Sequence, residues 1–238
     1  MQPSHEVQFT PWMPFFQPGD WKGKTFLDVG CGMGRNSYWP MTWGAVGGCA
    51  MDLDDRSPAA ARRNLAEFPT LSVEKRSVYG LEDEDLYDVV FSIGVIHHIQ
   101  DPDAALAKMV RAARPGGEVC AWVSGYENNE WIVRWFNPAR KALFSRLPVG
   151  LTHRLSLFPA AALWAGLRLG LGRTEYTRLL KTFEFPYLRA IVFDQMIPRI
   201  AQYWRREEVE ALMTRAGLSR IRLQWVNEIS WAAMGIKE

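Results

Sequence analysis

Apolar positions follow two different rhythms along the 238-residue chain. Between residues 25 and 124, short apolar runs at Thr25–Val29, 45–52, 71–76, Tyr87–Ile93 and 118–124 alternate with stretches whose apolar residues recur at helical spacing. Tyr87–Ile93 is almost continuously apolar, the pattern of a strand covered on both faces. Residues 36–44, 58–68 and 103–113 read as the intervening helices; the last places apolar side chains at 106, 109, 110 and 113 and stops at Arg114, Pro115, Gly116 and Gly117. Such alternation implies right-handed crossovers and a parallel sheet. From residue 126 to 199 the rhythm stops, and helices broken by Pro138, Pro148, Pro159 and Pro186 are expected instead. It resumes with a helix over 206–216, closed by Gly217, and two alternating runs at 219–226 and 229–236 that read as an antiparallel hairpin. Seven strands in one α/β sheet follow. The expected plan is a lid-like segment over 1–20, a sheet domain over 21–125 and 200–238, and a helical cap over 126–199 that builds a substrate pocket.

Composition changes this picture in two places. The first twenty residues hold Phe9, Trp12, Phe15 and Phe16 among four prolines, too broken for a long helix but rich in aromatic area. They lack the basic start and apolar core of a secretory leader, so a cytoplasmic chain is expected. Charge is also uneven: residues 131–181 carry nine Lys or Arg (Arg134, Arg140, Lys141, Arg146, Arg154, Arg168, Arg173, Arg178 and Lys181) against Glu175 alone, although the net charge is only +2. Interleaved with Trp131, Trp135, Phe136, Phe144, Phe158 and Trp164, this block suits an anionic membrane surface or an anionic acceptor, or is a solvated helical face. The uncharged run 155–167 would rise about 20 Å as a helix, short of a hydrocarbon core of roughly 30 Å. A cap helix packed over the cleft is expected ahead of a helix lying in a membrane interface. Cys31, Cys49 and Cys120 lie far apart in or beside strands and read as buried thiols, with no metal site.

The densest chemistry is the turn after the first strand, where Asp28, Gly30, Cys31, Gly32 and Gly34 follow Phe26 and Leu27. Three glycines allow positive φ and let a ligand meet the main chain where any Cβ would collide. A dinucleotide fingerprint needs its third glycine at position 35, which is Arg35 here. An acid at the strand end also opposes a pyrophosphate. It suits a cofactor bearing an ammonium group, S-adenosylmethionine.

Together these motifs resemble the class I S-adenosylmethionine-dependent methyltransferases, and within them the branch of ubiquinone and menaquinone biosynthesis methylases. The resemblance runs from about residue 20 to 124 and returns over 204–237. It rests on the stretch from Leu27 to Gly34, on Gly48 to Asp52, on the fourth-strand motif from Phe91 to Ile99, and on the turn from Arg114 to Gly117. It implies a Rossmann-like fold with S-adenosylmethionine as cofactor. By resemblance, Asp28 and the glycine turn hold the methionine half, Arg35 and Asn36 face its carboxylate, and Asp52 accepts the ribose hydroxyls. Leu53 packs on the adenine, Ser77 and Val78 meet the adenine edge, and Ile93, Gly94 and His98 lie near the sulfonium. Ser77 stands where the family often has an acid.

Methyl transfer needs an aligned acceptor and, for a hydroxyl, a base. His97 and His98, past the fourth strand, are the first candidates, with the alternative that they serve packing. Tyr126 and Glu127, past the fifth strand, face the same crevice, while His153 and Asp194 in the insertion are weaker candidates. The leading reading is transfer to a small apolar or anionic acceptor, at oxygen. Alternatives are a membrane-associated enzyme for a lipid-linked acceptor, a cofactor-binding module without turnover, and an NAD-dependent oxidoreductase. Nucleic acid is disfavoured, because base-methylating relatives place Asn or Asp, two prolines and an aromatic where this chain has Ser92, Ile93, Gly94 and Val95.

Overall fold

Strand Tyr87–Ile93 is buried at every residue after the first, and its neighbour Thr25–Val29 likewise, so both lie at the centre of a sheet covered on two sides. The computed structural model describes residues 3–172 and 174–238, with side chains placed from residue 6 onward. Arg173 of the basic block, and Met1 and Gln2 of the expected lid, lie outside the described residues. The strands are β1 (Thr25–Val29), β2 (Gly47–Asp52), β3 (Leu71–Lys75), β4 (Tyr87–Ile93), β5 (Ala113–Ser124), β6 (Leu218–Val226) and β7 (Ser230–Lys237). Their order is β3-β2-β1-β4-β5-β7-β6, with β1 to β5 parallel and β7 antiparallel to both its neighbours. This is the seven-stranded, mostly parallel sheet with a C-terminal antiparallel hairpin expected from the sequence.

The helices are α1 (Pro3–Trp12), α2 (Arg35–Thr42), α3 (Ser57–Asn64), α4 (Pro102–Ala112), α5 (Asn137–Ala142), α6 (Val149–Leu155), α7 (Leu157–Arg168), α8 (Glu175–Lys181), α9 (Phe185–Met196) and α10 (Arg206–Arg215). Side chains alternate across the sheet and feed two cores. Leu27, Val29 and Val90 face Leu106 and Met109 of α4 and Val209 and Met213 of α10. Phe26, Phe91 and Cys120 face Trp39 of α2, Ala61 of α3 and the N-terminal aromatics. α4 shows why its boundaries are firm: Asp101 caps it by accepting from Ala104 N at 2.9 Å, and Pro102 takes the first turn, where its missing N–H costs nothing.

The N-terminal segment departs from the expected lid. α1 forms despite its prolines, and Phe9, Met13, Phe16 and Trp21 are buried against the sheet, with Phe9 6.3 Å from Phe91 and Trp21 6.0 Å from Phe26 between ring centroids. Each fully buried aromatic contributes about 2–3 kcal/mol, enough to offset a proline in the last turn of a helix. The segment is part of the core.

Over 126–199 the described residues are helical or irregular, with no strand, as the lost rhythm implied. The apolar run 155–167 is not one helix. It breaks at the fully buried Ser156, whose hydroxyl donates to His153 O at 2.7 Å, separating α6 from α7. The cap has a small core of its own, Leu167, Leu180 and Leu188.

Candidate active site

Parallel strands deliver their carboxyl ends to one edge of the sheet, where ligands of open α/β folds bind. After β1 the chain turns through Gly30, Gly32 and Gly34 at φ of 84°, 53° and 82°. The turn is pinned to β2, because Gly30 N and Cys31 N both donate to Met51 O, at 2.8 and 3.0 Å, and Gly32 N donates to Asp52 Oδ2 at 2.8 Å. Asp52 Oδ1 in turn accepts from Asp54 N at 2.9 Å. Each oxygen keeps a second lone pair for a ligand.

The glycines do different work. A Cβ on Gly30 would stand 2.3 Å from Val95 Cγ2, and one on Gly34 2.6 Å from Leu65 Cδ1, so both serve packing of the turn. A Cβ on Gly32 would meet nothing within 4 Å. Gly32 thus presents its main chain to open space beside Asp52, where a cofactor can be cradled. Gly34 caps α2 in the left-handed conformation with no side-chain cap, leaving first-turn amides at Arg35 and Asn36 for an anion. Asp28 is fully enclosed. Ser37 donates to its Oδ2 at 2.6 Å, its Oδ1 has no partner, and burial pushes its carboxyl up to about 7 against that hydrogen bond, with Asp52 adding to the rise.

Among the residues expected to meet the adenine, Leu53 is 67% exposed past β2, while Val78 is buried in the core. Ser77 Oγ accepts from Tyr79 N at 3.3 Å, opening a short 3-10 turn. Cys31, Cys49 and Cys120 are all buried free thiols, as expected, and burial raises each thiol's pKa, that of Cys49 to about 11.

The fourth-strand motif supplies the other half of the crevice. Ile93 is buried and Gly94 takes φ 77°. His97 and His98 follow with ring centroids 4.1 Å apart, but they differ sharply in setting. His97 is buried; its Nε2 lies 3.3 Å from Ser124 Oγ, its Nδ1 has no partner, and burial, then His98 and Arg140, push its pKa well down. His98 is half-buried, with Nδ1 2.8 Å from Ile200 O. A carbonyl only accepts, so that nitrogen carries the proton and Nε2 is the basic one. Burial lowers the His98 pKa, the Ile200 bond opposes this and Arg140 adds to it, so the ring is neutral near pH 7.

Tyr126 and Glu127 stand past β5 as expected, yet they are engaged elsewhere. Glu127 accepts from Arg206 N at 3.2 Å and Trp231 Nε1 at 3.1 Å, tying β5 to α10 and β7. Arg205 covers the Tyr126 ring at 4.6 Å. His153 is exposed, paired with Arg189 and edge-on to Phe193. Asp194 is felt by Arg35, whose charge opposes the rise that burial gives its carboxyl. Arg35 Nη1 is 3.4 Å from Tyr187 OH, which donates to Gln8 Oε1 at 3.0 Å. α1, α2 and α9 therefore meet beside the glycine turn.

Two residues of weight escaped sequence reasoning. Tyr187 carries no local signal. Arg140, placed by its charge on the surface, is instead fully buried, because α5 turns it toward the histidines and Tyr203. The only sequence trace is its spacing from Asn137, three positions before on the same helix and also buried.

The fold is that of the class I S-adenosylmethionine-dependent methyltransferases, and the open face of Gly32, the α2 amides and the Asp52 carboxylate fit that cofactor. Residues 26–117 match the family described as methyltransferase domain. Among similar proteins, the chain is 28% identical over 145 residues to the tRNA U34 carboxymethyltransferase of Pseudoalteromonas translucida, covering 55% of this chain and 44% of that protein. It is 37% identical over 101 residues to the ubiquinone biosynthesis O-methyltransferase of Nitrosospira multiformis, covering 41% of each. The matches thus span less than half the length of these two relatives. A solved S-adenosylmethionine-dependent methyltransferase from Aquifex aeolicus shares the fold, with a TM-score of 0.59 at 15% identity over 100% of this chain and 94% of that one.

Proposed function

We propose that the chain transfers a methyl group from S-adenosylmethionine to a hydroxyl of a small acceptor held between the β4 and β5 ends and the helical cap over 126–199. The observation that carries this reading is the pairing of an open Gly32, braced by Asp52, with a neutral His98 whose Nε2 is basic, on neighbouring strand ends of one sheet. Arg35, Asn36 and the turn amides would hold the methionine carboxylate, Asp52 the ribose, and Leu53 and Ser77 the adenine, while Val78, packed into the core, supports the wall behind it. A cofactor ammonium near Asp28 Oδ1 would supply that atom's missing partner and return the carboxyl to its ionised form. The bound cofactor supplies an electrophilic methyl on a sulfonium; the protein positions the acceptor, excludes water and removes its proton. His98 takes that proton at Nε2. His97, deeper and bonded toward Ser124, positions its neighbour, and Glu127 is left out of the chemistry by its two hydrogen bonds. The similarity to a ubiquinone biosynthesis O-methyltransferase supports oxygen as the target.

The test is a transfer assay with labelled cofactor over phenols, hydroxy acids and amines. A methylated hydroxyl product is expected. Cofactor binding without transfer to any class would leave only a binding module.

A second reading is favoured by the cap's outer surface. Trp135, Phe158, Leu169 and Leu171 are 69%, 71%, 82% and 65% exposed, among Arg134, Lys141, Arg146, Arg154 and Arg168. α7 buries only Ala160 and Leu167, so it is not the cleft-packed helix expected from its sequence. Exposed apolar side chains with basic partners, Arg134 lying over Trp135 and Arg168 over Trp164, suit the interface of an anionic membrane and a lipid-linked acceptor. Among the described residues no helix is long and apolar enough to cross a membrane.

A further inference from the structure

Arg140 is the largest buried charge the methyl-transfer chemistry leaves unexplained. It is fully buried on α5, where Nε, Nη1 and Nη2 make no hydrogen bond of good geometry and the neutral Tyr203 hydroxyl is the polar group that bears on its charge. No carboxylate among the described residues forms an ion pair with it, whereas the cations that do pair, among them Arg56, Arg111 and Arg215, are exposed or half-buried. Its charged and titratable neighbours are His97 and His98 at the end of β4 and the Tyr203 phenol. One turn earlier on α5, Asn137 reaches Ala201 O at 3.4 Å through Nδ2 and leaves Oδ1 unbonded; His97 Nδ1 is unbonded as well. The chain after α9 threads past these groups, with Ile200 O on His98 and Gln202 N donating to His97 O at 2.8 Å.

A guanidinium cannot shed its proton, and leaving one dry with no anion to face it is strongly unfavourable. Its planar fork is built for a bidentate oxyanion. A surface pocket of about 440 Å³ lined by Lys141, Ser145, Arg146 and Arg199 lies on the same stretches of chain, Lys141 following Arg140 and Arg199 preceding Ile200, although Arg140 itself does not line it. Its three cations would draw an anion toward the buried fourth.

We propose that Arg140 is an oxyanion anchor for the acceptor, which carries a carboxylate or phosphate group held by the guanidinium fork while its reacting hydroxyl lies toward His98 Nε2. This rests on the methyl-transfer reading for the identity of the bound molecule, but the anion site itself does not. The acceptor class is then an anionic hydroxy compound, with Arg140 setting specificity.

The test uses the full chain saturated with S-adenosylhomocysteine, titrated with benzoate, phenyl phosphate and neutral benzyl alcohol, followed by tryptophan fluorescence and thermal midpoint. At least one anion is expected to bind saturably, with the preferred arm naming carboxylate or phosphate, and benzyl alcohol at least tenfold more weakly. Arg140→Met should weaken the anion at least tenfold, bind S-adenosylhomocysteine as wild type does, and melt no lower than wild type without ligand. Absence of anion binding to wild type, or equal anion affinity in Arg140→Met, would overturn the proposal. So would an unliganded Arg140→Met midpoint several degrees lower, which marks a structural strut. Anion binding through Arg140 in a chain that ignores S-adenosylhomocysteine would sink the methyl-transfer reading and leave the anion site standing.

Discussion

With Oδ1 unbonded and Oδ2 held by Ser37 alone, Asp28 is protonated in the folded chain up to about pH 7. Unfolded, it releases its proton near 3.8. Between those values the folded chain holds a proton that the unfolded chain has lost, so this group's contribution to stability falls as pH rises through the window. The rise in pKa is worth on the order of 4 kcal/mol. Asp28→Asn keeps the Ser37 hydrogen bond without the titration. Its melting midpoint should exceed wild type by several degrees at pH 8 and match it near pH 4, read by calorimetry without cofactor; equal gains at both pH values would refute the buried-acid account. At His98 the sign reverses. The base must be neutral, and its pKa lies below 6.5, so turnover should climb with pH and level off below that value. His98→Ala should lower kcat by about 100-fold with little change in cofactor affinity, and His98→Gln should abolish the acid limb. A variant that loses rate but keeps the limb would remove His98 from the proton transfer.

At the scale of elements, strands β1 and β4 were legible to the residue. Each is a largely apolar run, and a central parallel strand has no other place to go. The glycine turn and Asp52 were legible because backbone geometry restricts which residues can stand there. Gly48 shows the same restriction inside β2, where a Cβ would come within 1.9 Å of Phe26 O on β1. That carbonyl belongs to the sheet and cannot move aside. Gly48→Ala should therefore cost several kcal/mol and leave the chain largely unfolded in a denaturant titration; a near-wild-type midpoint would contradict the register of β1 on β2. Less was legible where tertiary packing overrode local preference. α1 forms because Phe9, Phe16 and Trp21 gain a sheet face that no local pattern announces. Glu127 was a reasonable candidate by position, but its orientation is fixed by Arg206 and Trp231, about 80 and 104 residues away.

Across the whole molecule, the sheet domain reads from sequence and the cap does not. Helices α5 to α9 dock through a few apolar residues, so their spacing says little about which cations turn inward, the three-residue step from Asn137 to Arg140 being the one trace. Arg140 goes in and Arg154 stays out. The outward apolar area gives a prediction at this scale. Wild type should co-sediment with vesicles containing phosphatidylserine, and Trp135→Glu combined with Phe158→Glu should reduce binding about tenfold or more without lowering the melting midpoint. Sedimentation independent of lipid would remove the membrane reading and leave the transfer chemistry intact. The central claim is that the turn from Asp28 to Gly34 cradles S-adenosylmethionine against Asp52. Calorimetric titration with S-adenosylhomocysteine tests it most directly. Wild type should bind one equivalent, Asp52→Ala at least tenfold more weakly, and Gly32→Val not at all while remaining folded; unchanged affinity in either variant, or no binding by wild type, would contradict it.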